Sequence, residues 1–149
     1  MNSKLIRFTK VILDIMFFGG IAALITLPFS LKILGKYYSA AILENFFFML
    51  ISLAICGVFG ILIIVELCRM MRTVMEENCF VYGNVRSLRK MAGFSIVIAF
   101  ITFIKIFIMP TPATAIIVLV FFIAALFSQV LSYVFERAVS YKEENDLTI

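Results

Sequence analysis

Histidine and tryptophan are absent from the chain, and its 149 residues include only three prolines and three cysteines. Without histidine the commonest general base and the commonest metal ligand are missing. A Ser-His-Asp triad, a haem axial histidine and a His-Glu-x-x-His zinc site are therefore excluded. The cysteines, Cys56, Cys68 and Cys79, are odd in number and show no Cys-x-x-Cys spacing, so they do not form the framework of a disulfide-stapled fold. Charge is scarce as well. Charged residues make up 15% and hydrophobic residues 64%, against about 25% and about 45–50% in ordinary soluble domains. Mean hydropathy is +1.13. A particle of this size cannot hide so much apolar surface from water. A soluble enzyme, a nucleic-acid-binding domain and a disordered chain are excluded, and the bilayer is the natural solvent. The net charge of +4 then reads as topogenic charge rather than a nucleic-acid footprint.

Uncharged runs locate the membrane segments. About 20 apolar residues at 1.5 Å rise cross a hydrocarbon core of roughly 30 Å. Between Lys10 and Lys32 the only charge is Asp14, and between Glu44 and Glu66 there is none. From Met91 to Met109 only Lys105 interrupts, and from Ile106 to Phe135 the chain is uncharged but broken by Pro110 and Pro112. The Pro-x-Pro marks a tight turn. The result is one membrane domain of four spans, at 11–31, 43–66, 90–109 and 113–135, with a loop at 67–89 and a tail at 136–149. Thr26-Leu27-Pro28-Phe29 lacks a small-x-small cleavage pattern, so the first span reads as retained, with Pro28 ending or kinking it.

Lys and Arg placement sets the orientation. Lys4, Arg7, Lys10, Arg69, Arg72, Arg86, Arg89, Lys90, Arg137 and Lys142 fall on one side, and Lys32, Lys36 and Lys105 on the other. Ten against three places both termini in the cytoplasm. The expected fold is an all-α integral membrane four-helix antiparallel bundle. Glu66 to Glu77 extends the second span past the bilayer, and Asn84 can cap the helix that enters the third. Arg86, Arg89 and Lys90 lie at headgroup level.

Small residues at four-residue spacing, Gly19-Ala23, Ser52-Cys56-Gly60, Ser95-Ala99 and Ala124-Ser128-Ser132, predict the packed faces of the spans. Gln129 should point inward with them. Asp14, one turn from Lys10, reads as half of an interfacial ion pair. Lys105 falls roughly 22 Å above Lys90, short of the far boundary, so its stem snorkels. Glu44 opens the second span on the same side, which makes an intramembrane Glu44–Lys105 pair available; the alternative is a lone charged site in an outward-facing cavity.

Two stretches carry a family resemblance. Glu77-Asn78-Cys79-Phe80-Val81-Tyr82-Gly83-Asn84-Val85-Arg86-Ser87-Leu88-Arg89-Lys90-Met91-Ala92-Gly93, through Phe80, Asn84, Leu88, Arg89 and Gly93, resembles the cytoplasmic loop of a family of small four-span bacterial membrane proteins classed as a domain of unknown function. The acidic ending Lys142-Glu143-Glu144-Asn145-Asp146-Leu147-Thr148-Ile149 resembles that of the same group. The resemblance implies the bacterial cytoplasmic (inner) membrane, no catalytic residues to carry over, and a small Cro-type helix-turn-helix regulator as a candidate partner.

The functional expectation is a non-enzymatic regulatory or sensory multi-pass protein with no cofactor and no bound metal. Its partners are the lipid bilayer and a cytoplasmic protein, with a homo-oligomer open and no direct contact to nucleic acid. Phe80, Asn84, Arg86, Leu88, Arg89 and Lys90 of the loop and Glu143, Glu144, Asp146, Leu147 and Ile149 of the tail form the expected partner surface. The tail either frays or docks on the basic 86–90 segment with Leu147 and Ile149 as anchors. The alternative function is a small oligomeric transporter or a bacteriocin or peptide immunity protein. An intramembrane enzyme would need polar groups clustered at one depth, and the spans offer only scattered ones.

Overall fold

A computed structural model describes residues 3–38 and 40–148. Six helices follow one another: α1 (Ser3–Ile25), α2 (Leu27–Tyr37), α3 (Ala40–Glu44), α4 (Phe46–Met75), α5 (Tyr82–Ile108) and α6 (Pro112–Thr148), with no strand among the described residues. Four of them, α1, α4, α5 and α6, are long and apolar enough to cross a membrane. The protein is a multi-pass all-α membrane bundle.

Local chemistry explains where each helix stops. Thr26 turns its hydroxyl onto Ala22 O at 2.9 Å, and Pro28, in the first turn of α2, has no N–H to offer the preceding turn. The helix therefore breaks at Thr26, inside the expected 11–31 span, and restarts as α2. At the other tight turn Thr111 precedes Pro112, and its Oγ1 accepts from the Thr114 N–H at 3.2 Å. That is an N-cap followed by proline at the first helical position. Asn84 does not cap α5. The helix already begins at Tyr82 after an extended Val81, and the Asn84 side chain is engaged elsewhere.

α4 ends in a Schellman motif. Glu77 N–H donates to Val74 O and Asn78 N–H to Thr73 O, at 3.1 and 3.0 Å, with Glu77 held at φ 57°. The chain then turns through residues 76–81 and re-enters as α5.

The helices pack in chain order: α1 on α4, α4 on α5 and, most extensively, α5 on α6. No Cα of α1 comes within 8 Å of α5 or α6, and none of α4 within 8 Å of α6, among the described residues. The bundle is thus an open row rather than a closed square. The middle of that row is α5, whose buried Val85, Leu88, Ala92, Ser95, Ala99 and Thr102 recur at alternating three- and four-residue spacing. It meets Ala125, Ser128 and Ser132 of α6, all buried. Three of the four expected small-residue faces therefore point inward, Cys56 and Gly60 being half-buried. The fourth does not: Gly19 and Ala23 are exposed. The α1–α4 contact lies one residue further round, where Ile61 packs 3.4 Å from the Gly20 Cβ position and Leu24 3.0 Å from that of Gly57.

Candidate functional site

Two assemblies of polar groups stand out, one at each end of the bundle. The first is the α4–α5 elbow, at the end that carries most of the Lys and Arg. Its floor is Glu66, 5% exposed. Ser87 Oγ donates to one carboxylate oxygen at 2.8 Å and Arg69 to the other at 3.1 Å, with Lys90 Nζ 3.9 Å away. A buried carboxylate is costly unless hydrogen-bonded and paired, and this one is both. One turn above, Asn84 Nδ2 donates to Thr73 Oγ1 at 2.7 Å and to Cys79 O at 2.6 Å, tying the two arms of the elbow together. Arg86 lies over the Tyr82 ring, 5.3 Å from its centre.

The same end anchors the extension of α6. Arg89 meets Glu136 at 2.8 Å, Phe80 packs edge-on against Phe135 with ring centres 5.5 Å apart, Val139 is buried, and Lys142 Nζ donates to Asn78 Oδ1. The chain past Phe135 is therefore neither frayed nor a separate tail; it continues as helix to Thr148. The expected anchor is corrected, because Leu147 is 86% exposed. Ile149 lies outside the described residues.

The expected partner surface divides accordingly. Asn84 and Leu88 are 3% and 4% exposed and hold the elbow together from within; they are not surface residues. Arg89 is half-buried and occupied by Glu136. Phe80, Arg86, Lys90, Glu143, Glu144, Asp146 and Leu147 are exposed. Of the residues that carry the family resemblance, Phe80, Asn84, Leu88 and Arg89 all hold the elbow or its junction with α6. Sequence reasoning missed Glu66, Ser87, Thr73 and Glu136. Glu66 ends an uncharged run and reads as a mere boundary, although Arg69 three residues on, on the same helix face, was a signal that it is paired.

The second assembly lies toward the opposite end. Lys105, in the last turn of α5, lines a cavity of about 320 Å³ with Ser52, Cys56, Thr102, Thr114 and Phe121. The cavity occupies the gap left between α4 and α6. Its hydroxyls are bonded within their own segments: Thr102 to Ile98 O at 2.7 Å, Ser52 to Met49 O at 3.1 Å, and Thr114 with Thr111 at 2.6 Å. The expected Glu44–Lys105 pair does not form; no carboxylate comes within 4.0 Å of Lys105 Nζ among the described residues. The reason is positional. α3, which ends at Glu44, folds back on α2, where Leu43 lies 2.7 Å from the Gly35 Cβ position, and α3 makes no close backbone approach to α5. Near the other end of α1 the Lys10–Asp14 pair does form, at 3.1 Å. No group of three or more Cys, Asp or Glu side chains suited to a metal ion occurs among the described residues.

Residues 20–149 match the family model described as "Protein of unknown function (DUF2975)". No curated protein and no solved structure matches the chain.

Proposed function

The chain belongs to the DUF2975 family of proteins of unknown function, and on that footing we propose that it is a non-enzymatic regulatory or sensory protein of the bacterial cytoplasmic membrane, both termini facing the cytoplasm, which docks a soluble partner on its elbow and α6 extension. The observation that carries this reading is the anchored extension itself. A helix fixed at Glu136 and Lys142 presents Glu143, Glu144 and Asp146 beside an exposed Leu147. A leucine on an acidic helix suits a partner with an apolar slot rimmed by basic residues. A small helix-turn-helix regulator, the partner that the family resemblance implied, offers basic surface of that kind. Exposed Arg86 and Lys90 sit where anionic headgroups hold the elbow at the membrane surface.

The test is co-purification in mild detergent from the native host. A soluble partner should be recovered with the full chain and lost after truncation at Tyr141. It should also be lost in the triple charge reversal Glu143→Lys, Glu144→Lys and Asp146→Lys. Equal recovery with all three proteins overturns the reading. The second reading, a small oligomeric transporter or an immunity protein against a membrane-active peptide, draws on the cavity beside Lys105. It would show as a transport or peptide-resistance phenotype that survives truncation at Tyr141.

A further inference from the structure

We propose that the cavity beside Lys105 binds a single-chain amphiphile with a carboxylate head, a ligand of the fatty-acid class that enters sideways from the membrane. The site does not depend on the partner surface described above.

Three observations converge on it. The first is the opening. α4 and α6 stand apart while both border the cavity, so the space between them is reached from the bilayer without separating packed helices. The second is the charge. Among the described residues no carboxylate lies within 4.0 Å of the Lys105 ammonium, and the Ser52, Thr102 and Thr114 hydroxyls bond within their own segments rather than to it. An unpaired cation within a span is costly, and a carboxylate supplies what Glu44 does not. A zwitterionic headgroup brings its own cation and compensates less. The third is the size. About 320 Å³ lies at the small end of the roughly 300–1,000 Å³ of ligand pockets, room for one acyl chain and not for two. From Lys105 the lining descends α5 to Ile98, about 10 Å along the helix. The ammonium at the top holds the head near the membrane surface while the chain runs down between α4 and α6. At its base Gly60 borders both this cavity and a neighbouring one of about 480 Å³, and a Cβ there would meet nothing within 4 Å.

The experiment uses the full chain in nanodiscs of zwitterionic lipid and a diazirine-bearing palmitic acid as photoprobe, with cross-links mapped by mass spectrometry. Label should fall on α4 and α6 residues around the cavity and be competed about tenfold better by palmitic acid than by its methyl ester, the ratio expected of one charge-assisted contact. Lys105→Met should lower labelling by about the same factor, and Lys105→Arg should retain it. Gly60→Leu keeps the cation but fills the space, and leucine is the better helix former, so it should fold and lose the label. Three results overturn the proposal. In one, the methyl ester competes as well as the acid. In another, phosphatidylglycerol does, which assigns the site to two-chain anionic lipid. In the third, labelling is absent and the protein is a dimer that Glu44→Gln dissociates, which places a second copy's carboxylate at Lys105.

Discussion

Glu66 shows how much one buried carboxylate organises. It takes hydrogen bonds from Ser87 and Arg69 and has Lys90 nearby, so both sides of the elbow converge on two oxygens. Glu66→Ala would leave the Ser87 hydroxyl unpaired and the cations uncompensated. Hydrogen bonds to charged groups contribute about 1.5–3 kcal/mol, discounted here because Arg69 is largely exposed. The expected outcome is a loss of about 2 kcal/mol in the thermal stability of the purified protein, with Glu66→Gln losing less because its amide oxygen still accepts from Ser87. A double-mutant cycle of Glu66→Ala with Ser87→Ala should be non-additive by at least about 0.5 kcal/mol; additive losses would mean that the two side chains stabilise the elbow independently. The sequence showed Lys10–Asp14 plainly, since residues four apart share a helix face. Glu66 and Ser87 are 21 residues apart, and no local periodicity brings them together.

At the scale of elements, the four long helices were legible in the uncharged runs, because a hydrocarbon slab tolerates little else. Helix ends were less so. Lys and Glu mark where the bilayer stops, whereas hydrogen bonding decides where the helix stops. The two differ most in α6, whose polar end stays helical because Arg89, Phe80 and Asn78 secure it. The end of α4 offers a direct test. Glu77 occupies the left-handed C′ position of the Schellman motif, a conformation that costs a non-glycine residue about 1 kcal/mol. Glu77→Gly should therefore raise the melting temperature, by an amount equivalent to roughly 0.4–1 kcal/mol, and Glu77→Val should lower it. If glycine stabilises no more than alanine at this position, the motif is not what terminates α4.

For the molecule as a whole, the asymmetry of Lys and Arg makes the orientation testable. With Cys56 and Cys68 replaced by Ala, Cys79 at the elbow should react with a membrane-impermeant maleimide only after the cells are permeabilised. Lys36→Cys, in α2 and exposed, should react from outside in a chain where all three native cysteines are replaced. Equal labelling of both positions in intact cells would sink the assignment. The open row was not visible in the sequence, since the small-residue stripes say which face packs but not which helix it meets; a cavity at Lys105 stood there only as the alternative to a Glu44 pair. The row also bears on biogenesis. Each long helix packs against the long helix before it, α4 on α1, α5 on α4 and α6 on α5, so each main interface can form once its second helix is made. Every span can be received by a finished neighbour as it leaves the ribosome, and the first three can be in place before α6 is made.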